Sequence, residues 1–275
     1  MKKITEDILS IIKSRPVNSY KGTFGKIVLI GGNANFGGAI IMATMAAVYS
    51  GAGLVTTVTD NSNQVSLHSQ VPEAMFQDIN ELPQVLALVS QANVIVIGPG
   101  LGTEENSKQV LTAVFKNVTD KQTLVVDGSA LTLMAQEHLS LPTTSTNVLT
   151  PHQMEWQRVS NIPIAQQNPE LNQQATNRLN AIAVVKSSRT QVYSPNTEPA
   201  ENTVGTPAQA TGGMGDTLAG MIGGFLCQFG NDVRTVEAAV YTHSAMADEI
   251  AKNQYVVLPH QISMALPKFM KKHEH

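Results

Sequence analysis

The 275-residue chain predicts an α/β fold: one domain over residues 1–275, with a mostly parallel central sheet flanked by helices on both faces. Three observations carry this expectation. Short apolar runs at 26–30, 94–97, 123–126 and 182–185 have the length and β-branched content of strands buried on both sides. Longer amphipathic segments separate them, as the crossovers between parallel strands require. Glycine or polar residues follow the runs directly, at the strand ends where open α/β sheets bind ligands.

Taken in order, residues 4–13 suggest a short amphipathic helix, followed by Arg15-Pro16 and a loop from Tyr20 to Gly25. The strand at 26–30 runs into Gly31-Gly32-Asn33-Ala34-Asn35-Phe36-Gly37-Gly38, where two glycine pairs suit close approach of backbone to a ligand. No Lys-Ser/Thr follows the last glycine, so this is not a Walker A loop, nor does it read Gly-x-Gly-x-x-Gly. A helix at 38–49, a strand at 53–59 and a helix near 82–91 come next. The strand at 94–97 ends in Gly98-Pro99-Gly100-Leu101-Gly102 and precedes a helix at 104–116. Strand 123–126 ends at Asp127, and a short strand around Val148 meets Thr150-Pro151-His152-Gln153-Met154-Glu155. Helix 170–180 leads to strand 182–185, Lys186 and a strand-like segment at 191–193. Last come Ala210-Thr211-Gly212-Gly213-Met214-Gly215-Asp216-Thr217-Leu218, its helix, and helices at 232–252 and 260–272. Leu218, Ile222, Phe225, Leu226 and Phe229 share one face of the helix that Asp216 opens.

Composition excludes several classes. Charged residues make up 14%, against roughly 25% in ordinary soluble chains. The surface is therefore expected to be polar rather than charged, with part of it buried between subunits. A net charge of −3 and the lack of a basic block argue against nucleic acid as a partner. Residues 27–59 carry no charge, but glycines divide them into strand, loop, helix and strand, which argues against a membrane span. The single cysteine, Cys227, reads as core packing in a reduced compartment, and no Cys/His cluster offers a zinc site. The N-terminus lacks the long apolar stretch of a signal peptide.

The glycine stretch before Asp216 can be read in two ways. Glycines opening a helix leave backbone N–H groups and the helix dipole facing an anion, and a carboxylate there can take a proton from a hydroxyl beside it. Equally, Asp216 can be an ordinary first-turn residue over a tight turn. The same choice applies upstream: Asp127 can cap a helix beginning near Ser129, His152 and Glu155 can be first-turn residues, and Lys186 can be solvated. A parallel sheet would bring all of these strand ends to one edge, which favours a shared cleft. His243 has apolar neighbours and reads as a packed, hydrogen-bonded histidine.

The ordered motifs resemble those of a known family. Lys21-Gly22-x-x-Gly25, Gly31-Gly32, Gly38-Ala39, Gly51-Ala52-Gly53, Pro72-Glu73-Ala74-Met75, Gly98-Pro99-Gly100-Leu101-Gly102, Thr150-Pro151-His152 with Glu155, Lys186, Asn202 and Gly212-Gly213-x-Gly215-Asp216 are similar to ADP- or ATP-dependent NAD(P)H-hydrate dehydratases, members of the ribokinase-like superfamily. The resemblance implies a ribokinase-like fold and a hydro-lyase that phosphorylates and discards the C6 hydroxyl of a hydrated nicotinamide. It puts Ala39, Gly100, Gly102, His152 and Asp216 at that substrate, with Asp216 catalytic. It puts Lys186, Ser187, Ser188, Arg189, Thr190, Asn202, Gly213, Met214 and Gly215 at ADP or ATP. Mg2+ accompanies the nucleotide, with Glu155 reaching it through water, and a cytoplasmic homo-oligomer, a tetramer by resemblance, is expected. Ser129, Ser187 and Thr206 depart from the family pattern, where aspartate, glycine and asparagine are frequent. The alternatives are a vitamin-precursor or sugar kinase of the same fold, or a nucleotide sensor without catalysis.

Overall fold

The computed structural model describes residues 1–143 and 146–275. Its strands are β1 Lys2–Ile4, β2 Lys26–Ile30, β3 Leu54–Thr59, β4 Met75–Asp78, β5 Val94–Ile97, β6 Thr123–Val126, β7 Thr146–Leu149, β8 Ile182–Val185, β9 Gln191–Tyr193 and β10 Ala200–Asn202. They form one ten-stranded sheet in the order β1-β10-β9-β8-β7-β6-β5-β2-β3-β4. Every pairing is parallel except those of β9, which runs antiparallel to both β8 and β10.

The helices are α1 Gly37–Tyr49, α2 Gln64–Gln70, α3 Leu82–Gln91, α4 Glu105–Asn117, α5 Gly128–Gln136, α6 Gln153–Ser160, α7 Pro169–Leu179, α8 Met214–Phe229, α9 Val233–Ala251 and α10 Pro259–Lys272. Alternation along the strands splits the core in two. Ile27 and Leu29 of β2, with Val94 and Val96 of β5, pack under α1, α8, α9 and α10. Val28, Ile30, Ile95 and Ile97 point the other way, towards α3, α4 and α5. Strands buried on both faces must be apolar throughout, which is why these runs show no alternation.

Helix α8 lies unusually close to its neighbours. A Cβ at Gly220 would collide with the Ala43 backbone of α1, and one at Gly223 would lie 2.6 Å from Ile27 Cδ1. No helix among the described residues is long and apolar enough to cross a membrane. The short amphipathic helix expected over residues 4–13 is met only in part. Lys2–Ile4 is an edge strand paired with Ala200–Asn202, and Glu6–Ile11 forms a 3-10 helix.

Candidate functional site

Strands β8, β7, β6, β5 and β2 are neighbours and parallel, so the residues that follow them stand in a row along one edge. Asp127 follows β6, Thr150 to His152 follow β7, and Lys186 follows β8. The Lys186 N–H donates to the Pro151 carbonyl at 2.8 Å, and His152 and Lys186 form an isolated parallel bridge.

Asp127 occupies the N-cap position of α5 yet makes no side-chain capping bond. Its Oδ1 instead accepts from Thr150 Oγ1 at 2.7 Å and Lys186 Nζ at 2.8 Å, with both Asp127 and Thr150 buried. Burial alone would lower the Lys186 pKa, but Asp127, Glu155 and Asp216 around it hold the ammonium above its ordinary value.

His152 and Glu155 do behave as first-turn residues. The His152 ring accepts from the N–H groups of Met154 and Glu155 through Nδ1, and Glu155 Oε2 accepts from the His152 N–H at 2.8 Å. This leaves Nε2 as the protonated nitrogen, 3.5 Å from Glu155 Oε1, in a side chain that is itself exposed. Burial, and then Lys186, lower the His152 pKa, which favours the neutral ring that accepts at Nδ1. Burial raises the Glu155 carboxyl to about 7.

The first turn of α8 closes over this row. Gly213 adopts φ +93, packed against Met42 and Pro259, and offers no capping side chain. The leading N–H groups of the helix therefore lack intrahelical acceptors. A Cβ at Gly215 would lie 3.1 Å from Lys186 Nζ. Asp216 is half-buried, and burial followed by the charge of Asp127 lifts its carboxyl to about 6, against the opposing pull of Lys186. His243 of α9 lies beneath, buried and hydrogen-bonded to the Met214 backbone, with Nε2 unpartnered among the described residues and its pKa pushed down to about 4 by burial.

Two loops flank the row. On the β2/β5 side, the Asn33 N–H donates to the Gly100 carbonyl at 2.7 Å, and Gly100 packs against Ala39. Gly102 adopts φ +81 against the side chains of Glu104 and Asn33. On the β8/β9 side, Lys186 to Thr190 form a tight connection closed by its own bonds, Ser187 Oγ donating to the Arg189 carbonyl at 2.8 Å. Ser187 is not among the residues with positive φ, so its departure from glycine strains nothing. Arg189 reaches the Gly205 carbonyl at 3.1 Å, and Gly205 donates to Asp248 at 2.9 Å. The Asn202 N–H donates to the Thr190 carbonyl, while the buried Oδ1 of Asn202 has no partner among the described residues. Thr206 caps the 3-10 turn Pro207–Gln209, a role an asparagine could also fill.

His152, Met154, Ile164 and Lys186 to Ser188 line a depression of about 460 Å3. The sequence raised Asp127, with its cap and its site role left equal. It gave no separate signal for the Thr150 hydroxyl, which acts through burial beside Asp127.

Comparison with known proteins points one way. The family model described as NAD(P)H-hydrate dehydratase matches residues 27–268. The ADP-dependent (S)-NAD(P)H-hydrate dehydratase of Lactiplantibacillus plantarum is 57% identical over 272 residues, covering 98% of this chain and 97% of that one. A ribokinase-like superfamily protein from Enterococcus faecalis superposes with a TM-score of 0.97 at 49% identity, over 100% of this chain and 96% of the other. The ADP/ATP-dependent NAD(P)H-hydrate dehydratase of Bacillus subtilis, co-crystallised with ATP/Mg2+, gives 0.87 at 28% identity over 99% of each chain.

Proposed function

The chain belongs to the NAD(P)H-hydrate dehydratase family, and on that premise we propose that it restores NAD(P)H from (S)-NAD(P)H-hydrate with hydrolysis of ADP or ATP. One observation carries the mechanism. A carboxylate raised to about 6 stands in a helix first turn whose backbone N–H groups receive no side-chain cap, with an ammonium beside it.

Hydroxide leaves a saturated carbon poorly, so the C6 hydroxyl is first made a phosphate ester. Its oxygen attacks the terminal phosphorus, the bridging P–O bond of the nucleotide breaks, and Asp216 takes the hydroxyl proton. The N–H groups of the Gly213–Asp216 turn, helped by Lys186, meet the charge on the transferred phosphoryl group. The ring nitrogen then pushes out phosphate from C6 as C5 loses a proton, restoring the double bond.

Ala39, Gly100, Gly102 and His152 contact the hydrated nicotinamide nucleotide in this reading. Lys186 to Thr190, Asn202 and Gly213 to Gly215 hold the adenine nucleotide, with the unpartnered Asn202 Oδ1 offering a buried acceptor. ADP is the preferred donor, in keeping with the name of the L. plantarum relative.

The residues present do not make a magnesium cage. Among the described residues no three His, Cys, Asp or Glu are arranged to hold a metal ion, Asp127 is engaged by Lys186 and Thr150, and both Glu155 oxygens turn to His152. Magnesium would arrive on the nucleotide phosphates and touch Glu155 only through water. The low charged content supports a homo-oligomer, a tetramer by family resemblance, acting in the cytoplasm as one domain.

The test is to incubate the protein with hydrated NADH and ADP while following the return of dihydronicotinamide absorbance. Phosphate release with no recovered NADH would refute the dehydratase reading.

A further inference from the structure

An aspartate at a helix N-cap ordinarily turns its carboxylate back onto the first free N–H groups. Asp127 does not. Its Oδ1 gathers two donors from the ends of the next two strands, the Thr150 hydroxyl and the Lys186 ammonium. The Asp127 side chain is 3% exposed and that of Lys186 20%, so the carboxylate is buried while the lysine keeps some access to solvent. The ammonium lies against Gly215 of α8, whose missing side chain gives it room: a Cβ there would stand 3.1 Å from Nζ.

We propose that Asp127 is a positioning residue, holding the Lys186 ammonium over Gly215 so that its charge meets the transferred phosphoryl group instead of pairing with Asp216. The inference rests on the phosphoryl-transfer reading above and adds a residue to it. Lysine carries a compact charge on a flexible stem, so its location depends on what grips it. Without Asp127, the carboxylates within its electrostatic reach are Glu155 and Asp216. Pairing with Asp216 would withdraw the base and move the positive charge away from the phosphate together. Thr150 fixes the carboxylate that does the gripping.

The charged groups facing Asp216 are Asp127 from the end of β6 and Lys186 from the end of β8. One step out are Glu155, His152 and Arg158 on α6, and His243 on α9, which act on Lys186 or on one another. Removing the Asp127 charge therefore acts on Asp216 in one direction by both routes, directly and through the released lysine.

The experiment compares pH profiles of kcat/KM for the full chain and for D127N, K186M, the double variant and D216N. D127N is expected to lose about a hundredfold in kcat, the scale that misplacement by about 1 Å brings. Its acid limb should shift to lower pH, a readout that mere loss of packing would not move. K186M should shift the limb to higher pH, because two carboxylates then face each other without the cation. Adding D127N to K186M should cost no further kcat. An unmoved limb in D127N, or losses that multiply in the double variant, would overturn the proposal. Should D127N fail to fold, an unmoved limb in K186M would overturn it. Near-normal turnover in D216N would instead remove the phosphoryl-transfer reading itself, whereas a dead D216N beside an unshifted D127N removes only the positioning role.

Discussion

At the carboxyl edge of the sheet, four ionisable side chains, Asp127, Glu155, Lys186 and Asp216, crowd beside a shallow depression of about 460 Å3. At the amino edge, a cavity of about 1050 Å3 opens between residues 10–16, the last turns of α1 and α8, and α10. The larger cavity has the ordinary chemistry of a protein surface. Its Arg15 lies 3.8 Å over the Phe24 ring and hydrogen-bonds to Gln228, and its Lys271 pairs with Glu274. Cys227, on the same stretch of α8, is an inert thiol that burial pushes up to about 12. Volume therefore does not mark the site. Ionisable groups whose burial outruns their pairing do.

The comparison can be attacked where it predicts the largest effect. Asp216→Asn should keep nucleotide binding and lose about two to four decades of kcat, the share a general base supplies. Ligand titration beside single-turnover kinetics would check this, and near-normal kcat would end the assignment.

The pH dependence comes next. Asp216 works as a base only when ionised, and its carboxyl is raised to about 6, so kcat/KM should climb with pH through that value and level off above it. Each unit of pH below should cost about tenfold. A limb set at the ordinary carboxylate range would mean that Asp216 is solvated like any surface acid.

Gly215→Ala should lower turnover by about tenfold while the melting temperature holds or rises, because alanine favours helix but presses on Lys186 Nζ. Paired kinetic and thermal measurements separate the two. The smallest effect is expected at the amino edge. Arg15→Ala should remove the contact with Phe24, lower stability by about 1 kcal/mol or less and leave kcat/KM unchanged. Equal kinetic losses in the Gly215 and Arg15 variants would erase the distinction between the edges.

The sequence revealed the interior of the sheet better than its margins. Strands β5 and β8 are apolar throughout, and β2 and β6 are apolar after Lys26 and Thr123, because both faces are covered, and that shows in any window. β1, β4 and β10 have three or four residues each, and their strand character comes from partners. Lys2–Ile4 is extended because Ala200–Asn202 lies beside it, a pairing no local pattern encodes. In the site, motif order brought Lys186, His152 and Asp216 to attention. The orientation of Asp127 could not be read, because capping and gripping a lysine need the same residue in the same place. Only the positions of Thr150 and Lys186 decide between them. His152 shows the converse, since its Nδ1 caps α6 while Nε2 lies beside Glu155.

The reversal at β9 has a consequence of its own. Wherever the sheet runs parallel, a loop at its carboxyl edge must feed a crossover, and changing it disturbs a helix. Lys186 to Thr190 instead returns at once into the neighbouring antiparallel strand, closed by its own bonds and tied outward to Asp127 and Gly205 rather than to a helix that follows it. A substitution there, such as Ser187 for glycine, can change what the loop presents to the cleft without displacing a helix.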